Sequence, residues 1–284
     1  MKVEPLAYLG PEAKIPALRS TLMTKPFMVS VVSVCLNGAS TIDETVRSVL
    51  SQTYKDIEYI VVDGASTDGT LEHLCSYGTA ITKLISEPDT GLYNAMNKAL
   101  GLVQGDIVIF MNAGDVFASK TIVEQVARVF AANPTTMLVY GDWQAKFPDR
   151  VLPVRQPPKL TKWRLWLKAV CHQTIFARRV LFDRLGGFDE CLRICADWDW
   201  TIRSVLAGGN KAVHLAEPVC HFRMGGVSSN RVGLQLERHI LHRRYYTRSE
   251  RFWLSMCEFF YKIVVRLRSW DFAPPRFMRR ISQK

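Results

Sequence analysis

No apolar run in the sequence approaches the roughly 20 residues needed to cross a bilayer, so no membrane-spanning helix is expected. The first 25 residues lack an apolar core behind a basic start, and no secretory signal is expected there. The motif GxGxxG does not follow the first apolar run, and GxxxxGKS/T occurs nowhere. The chain therefore lacks the defining features of dinucleotide-binding and P-loop proteins. Its seven cysteines have no CxxC spacing, are odd in number and sit mostly in apolar surroundings. That scatter argues against a structural zinc site or a disulfide framework, and for reduced thiols in a cytoplasmic protein. Excess charge is also missing from most of the chain. From Arg231 onward there are 13 Lys+Arg against 4 Asp+Glu, a net of +9, which leaves +2 of the total +11 for the first 230 residues.

What remains suits a sizeable α/β domain. At 284 residues with 48% hydrophobic and 22% charged, the chain can bury a core and is not a disordered sequence. Residues 1–27 carry four prolines and no periodicity, and read as an extension. "FMVSVVSVCLN" (27–37), "IEYIVVDG" (57–64), "AITKLISE" (80–87), "DIVIFMN" (106–112) and "TTMLVYGD" (135–142) read as five buried strands. Between them, Ser40 and Asp43 suggest a capping box for a helix carrying Ile42, Val46 and Val49. Thr67 or Asp68 suggests a cap for a short helix to about Tyr77. A helix from about Gly91 is expected to run toward Gly105 at its C′ position, and another to span 120–132. Strands alternating with helices predict βαβ units and a mainly parallel sheet, whose ligands gather at the carboxyl ends of the strands. Three of the first four strand ends carry a carboxylate: Asp63, Glu87 with Asp89, and Asp115. Carboxylates there suit ribose or base recognition, and a hard cation bridging a diphosphate.

These segments resemble the inverting, GT-A-fold glycosyltransferases of family 2. The resemblance covers about residues 28–228, through "VSVVSVCLNGASTIDETVRSVLSQTYKDIEYIVVDGASTDGT", "SEPDTGLYNAMNKAL", "FMNAGD" and "ADWDW" in family order. "HQTIF" and "FRMGGVS" narrow it toward bacterial enzymes that build exopolysaccharide, such as colanic acid, or O-antigen repeat units. The resemblance implies a Rossmann-like GT-A domain over 28–228, a nucleotide-diphosphate sugar donor and a divalent cation, Mg²⁺ or Mn²⁺. It assigns Asp115 to the metal and Asp63, Asp89 and Asn97 to the nucleotide. Gly114 and Asn112 stand where carboxylates are frequent in the family. The usual Glu-Asp pair aligns its Asp, the catalytic base, with Asp197, and Ala196 replaces the Glu. Asp199 is expected to cap the helix or pair with Arg203. His172, Gln173 and Arg223 fall on the acceptor or diphosphate side, and Trp198 is a candidate to pack on an acceptor sugar.

The remaining segment, 229–284, reads as a basic helical tail. Within 251–270, Arg251, Glu258, Lys262 and Arg266 share one helical sector, with Trp253, Phe260, Val264 and Leu267 opposite. Such a helix suits an anionic membrane surface. A lipid-linked acceptor, of the undecaprenyl-diphosphate type, would make a peripheral place on the cytoplasmic face of the inner membrane useful. The alternative is a helix packing its apolar side on protein. No nucleic-acid partner is expected, because the core is near neutral. A catalytically inactive nucleotide-sugar binder is the rival that Gly114 and Ala196 keep open.

Overall fold

The computed structural model describes residues 26–147, 149–208, 211–226 and 230–270, the last ten as backbone only. Most of the expected N-terminal extension, the tail beyond 270, and the side chains of Lys262, Val264, Arg266 and Leu267 lie outside the described residues. In chain order the elements are β1 (Val29–Cys35), α1 (Ile42–Leu50), β2 (Ile57–Asp63), α2 (Thr70–Ser76), β3 (Lys83–Ser86), α3 (Leu92–Leu100), β4 (Ile107–Phe110) and β5 (Val116–Phe117). There follow α4 (Ile122–Ala132), β6 (Leu138–Lys146), β7 (Val151–Val154), α5 (Lys162–Leu167), β8 (Phe176–Arg178), α6 (Arg179–Leu185), α7 (Ala196–Gly208), β9 (Ala212–Arg223), α8 (Arg231–Tyr245) and α9 (Arg248–Trp270).

Among the described residues the strands form one sheet in the order β3-β2-β1-β4-β8-β6-β9-β5, with β7 paired to β6. The β3-β2-β1-β4 half is parallel. β8 runs antiparallel to both of its neighbours. Every residue of β1 is buried, because alternate side chains enter two different cores. Val32 and Val34 pack with Met96 of α3 and Trp198 of α7 on one side. Val29 and Val31 pack with Val46 of α1 and Val126 of α4 on the other. In-register pairing of Cys35 with Asp63, and of Asp63 with Ser86, brings the strand ends to one edge.

Three local expectations are corrected. The Ser40–Asp43 capping box does not form: Thr41 is the N-cap of α1, without a side-chain cap bond. Asp43 instead accepts from Tyr77 Oη and pairs with His73. α3 ends at Leu100, so Gly105 is no helix cap. It is needed for close approach, since a Cβ there would sit 2.7 Å from Met28 O and 2.5 Å from Ser30 Oγ. The fifth sequence strand begins at Leu138 rather than 135 and runs on to Lys146, and a two-residue strand, β5, precedes α4. Asp68 does serve the start of α2, accepting from Thr70 N at 3.1 Å, and its other oxygen accepts from Ala39 N.

The basic segment also divides differently from expectation. α8 is built into the domain: Leu241 is fully buried and Arg244 bonds both Asp189 and Asp199. His242 of α8 stacks on Trp166 of α5 with ring centroids 3.5 Å apart. Burial, reinforced by Arg238 and opposed by the Trp166 carbonyl and Glu258, lowers its pKa to about 4. An unfolded histidine titrates near 6.5, so between those values the unfolded chain binds more protons. Stability therefore falls as the pH drops from about 6.5 toward 4. Urea unfolding at pH 7 and pH 5 should show this loss, and His242→Phe, which keeps the stack, should flatten it.

α9 settles which side of the last helix meets protein. Glu258 accepts from Arg238 and from Trp166 Nε1, and Arg251 donates to Tyr246 O, so the polar sector faces the domain. Phe252, Trp253, Phe259 and Phe260 point the other way, each 56% exposed or more. Over residues 252–260, then, the aromatic side chains do not pack on the domain. No described helix is long and apolar enough to cross a membrane.

Candidate active site

The turn after β4 answers why Asn112-Ala113-Gly114-Asp115 carries so little bulk. Gly114 has φ +93°, a left-handed conformation that a side chain resists. A Cβ there would also press on Arg223 Cδ at 3.1 Å. Thr45 of α1 clamps the turn, accepting from Gly114 N at 2.9 Å and donating to Asp115 O at 2.8 Å. Asp115 is turned inward, 4% exposed, and accepts from Gln173 Nε2 and Arg223 N, both at 2.9 Å. Burial, against these two bonds, pushes its carboxyl up to about 6.

Asp197 lies in the first turn of α7, where the helix dipole favours a carboxylate. Its Oδ1 accepts from Trp198 N at 2.8 Å and lies 3.0 Å from Tyr93 Oη; its Oδ2 meets His172 Nδ1 at 2.9 Å. The segment leading into α7 is held by Glu237 of α8, which accepts backbone N–H bonds from Arg193, Ile194 and Cys195. Asp199, two residues on, points away as the spacing requires. It is 1% exposed and bonded to Arg203, Arg244 and Tyr245.

A cavity of about 1210 Å³ joins these groups. Asp89, Asp115, His172, Gln173, Asp197, Trp198 and Arg223 all line it. Two expected residues do not. Asn97 is corrected from nucleotide ligand to internal tie: its carboxamide bonds Phe188 N, Phe188 O and Glu190. Asp63 is fully buried behind the wall, where its carboxylate accepts from Ser66 and Ser86. Burial alone would raise its pKa, but those bonds prevail and hold it below the usual carboxylate range. A side chain at Gly64 would collide with Asp89, so the two strand ends meet at that point. Trp198 is 4% exposed and its Nε1 donates to Leu165 O, which makes it wall more than platform.

The sequence reading missed several contributors. Tyr93 and Glu237 carry no signal outside the fold, because each acts on a residue more than 40 positions away. Lys168, Arg193, Arg231 and Arg238 add cations to the lining that Asp89, Asp115 and Asp197 share. Arg231 and Arg238 belong to the segment expected as a basic helical tail. No described group of three or more His, Cys, Asp and Glu side chains could hold a metal unaided. The residues still fit a cation that arrives with phosphates: Asp115 offers a carboxylate, and the buried Asn112 Oδ1 has no partner. A hard cation takes its remaining ligands from phosphate oxygens and water.

A parallel half-sheet with carboxylates at its strand ends, facing a cation-rimmed cavity, defines a GT-A glycosyltransferase. The profile of Glycosyl transferase family 2 matches residues 30–186, and the chain belongs to that family. An uncharacterized glycosyltransferase of Mycobacterium tuberculosis is 31% identical over 232 residues, 78% of this chain and 87% of its own. A PGL/p-HBAD biosynthesis glycosyltransferase of Mycobacterium bovis is 33% identical over 189 residues, 62% of this chain and 69% of its own. Among solved structures, S. aureus TarS 1–349 in complex with UDP-GlcNAc aligns with TM-score 0.61 at 20% identity, over 71% of this chain and 60% of that one. The mannosyltransferase PcManGT from Pyrobaculum calidifontis, in complex with GDP-Man and Mn²⁺, aligns with TM-score 0.60 at 21% identity, over 79% and 66%.

Proposed function

We propose that the chain is an inverting transferase that moves a sugar from a nucleotide-diphosphate donor to a hydroxyl of a lipid-linked saccharide, in bacterial surface polysaccharide synthesis. The observation that carries this reading is one cavity holding both Asp115 and Asp197, a carboxylate for the donor side and a second for the acceptor. The acceptor hydroxyl gives its proton to Asp197 as its oxygen bonds the anomeric carbon, and the bond to the donor diphosphate breaks with its electron pair leaving on the phosphate. Asp115 and Asn112 would hold a divalent cation, which when bound neutralises charge on that leaving group. Arg223, exposed at the cavity rim and anchored through its backbone to Asp115, suits the same phosphates. Asp89 lies where it can accept from the ribose, and Asp63 would join it only by exchanging a serine hydroxyl for a base N–H. The nucleotide-sugar ligands of TarS and PcManGT support this class of donor.

Calorimetry tests the reading. UDP or GDP should bind wild type with Mg²⁺ or Mn²⁺, bind far less with chelator, and lose the metal effect in Asp115→Ala. Failure of both nucleotides to bind under every condition would overturn it. We further propose that α9 lays its aromatic face on an anionic membrane, with Arg243 and Arg248 adding positive charge; basic residues at such a surface add about 1 kcal/mol each. The protein should sediment with phosphatidylglycerol vesicles, release in salt, and lose binding in Trp253→Glu/Phe260→Glu. Equal binding to phosphatidylcholine vesicles would refute the electrostatic part. Undiminished binding by the variant would refute the role of α9.

A further inference from the structure

The dipeptide His172-Gln173 touches both halves of the site. Gln173 holds Asp115, and His172 Nδ1 lies 2.9 Å from Asp197 Oδ2. The other ring nitrogen, Nε2, lies 3.2 Å from Asn112 Nδ2. Partner chemistry then fixes the tautomer. A carboxylate only accepts, so the proton of a neutral ring sits on Nδ1. Nε2 is left as an acceptor, and only the amino end of Asn112 can fill it. That choice decides where the other end of the carboxamide goes. Asn112 Oδ1 is buried and without a partner, on the same turn as Asp115, whose N–H bonds Asn112 O at 3.0 Å. Buried acceptors are seldom left unmatched, and one at a cavity wall is open to a cation, a donor group or a water.

We propose that His172 is a positioning residue with two outputs. It orients the Asp197 carboxylate, and it turns the Asn112 carboxamide so that Oδ1 is reserved for the donor diphosphate or its cation. Asn112 thereby becomes a donor-site ligand. The neutral oxygen stands where a second carboxylate would otherwise bind the cation more tightly. This inference rests on the transferase reading for what the ligand is, but the chain from carboxylate to tautomer to amide stands on the geometry.

Three measurements test it. Nitrogen-15 NMR of the wild type should show His172 as the Nδ1–H tautomer, the signal being assigned by its loss in His172→Gln. Calorimetry with UDP and Mn²⁺, or GDP and Mn²⁺ if that is the nucleotide bound, should show weaker binding in Asn112→Ala and His172→Phe, on the order of 10–100-fold. Release of nucleoside diphosphate from UDP-GlcNAc or GDP-mannose should then separate the two outputs. Asn112→Ala raises KM, whereas His172→Phe also lowers kcat. His172→Gln, whose amide can donate to Asp197 and accept from Asn112, should restore much of both. An Nε2–H tautomer or a doubly protonated ring in the wild type would overturn the proposal, since either would hold the oxygen end of Asn112, as would His172→Phe with unchanged kcat and affinity. If the wild type binds neither nucleotide, the transferase reading fails, and the NMR result still decides the geometry.

Discussion

Asp197→Asn should abolish turnover while leaving donor binding and folding intact. The amide keeps the size of the carboxylate: its oxygen can accept from His172 Nδ1 while its amino group donates to Tyr93 Oη, which itself donates to Ile194 O, so only the bond from Trp198 N is lost and the first turn of α7 stays in place. What it loses is basicity. A positioned general base contributes about 10²–10⁴-fold, and release of nucleoside diphosphate from the donor should fall by that amount. Asp197 has no hydrogen bond to Asp115 or Arg223, and an amide oxygen facing His172 Nδ1 leaves the His172–Asn112 contact as it was, so calorimetric affinity for UDP or GDP with Mn²⁺ should stay within about twofold. A variant that retained a tenth or more of wild-type turnover would remove Asp197 from the role of base. The same result would strengthen the rival view of an inactive binder if wild-type turnover were itself near zero.

Asp199→Ala should give the opposite pattern: a large loss of stability, and a loss of activity only in proportion to unfolding. Asp199 is 1% exposed and receives Arg203 Nε and Arg244 Nη1 at 2.8 Å and Tyr245 Oη at 2.7 Å. Removing one member of a buried ion pair costs about 3–5 kcal/mol when the remaining charge stays buried. Arg203 and Arg244 are 21% and 40% exposed at their side chains and can recover some hydration. The expected cost is therefore nearer about 2–3 kcal/mol, a fall in Tm of roughly 5–10 °C for a chain of this size. Thermal unfolding of the two variants side by side decides the matter: a stable Asp199→Ala, or an unstable Asp197→Asn, would mean the two carboxylates had been assigned the wrong way round.

The two aspartates show how far the sequence can be read. Their spacing of two at a helix start already says that they point differently, and the i, i+4 position of Arg203 already nominates Asp199 for pairing. That Asp199 also receives Arg244 and Tyr245 could not be read, because no periodicity links positions 45 residues apart. Asn97 shows the same limit from the other side. Its place within a family-like block suggested a ligand, but the carboxamide is consumed by the Phe188–Glu190 loop, which only the packing of α3 brings within reach. The basic charge after residue 230 was legible as a total and misleading as a unit. Part of it, on α8, closes the cavity, and the rest accompanies an aromatic face turned outward.

By itself the sequence determined the alternation of strand and helix, the parallel half-sheet, and the carboxylates at its strand ends. These follow from local periodicity and from residue types that turns and strand ends select. It also determined that Asp115 follows a turn without bulk. Only the tertiary structure decided that Gly114 yields to Arg223, that His172 joins Asp197 to Asn112, and that Asp63 is shut behind Ser66 and Ser86. Each of those depends on burial and on hydrogen-bond partners from distant segments. Such partners are chosen by how the layers pack, and a linear pattern carries no record of that choice.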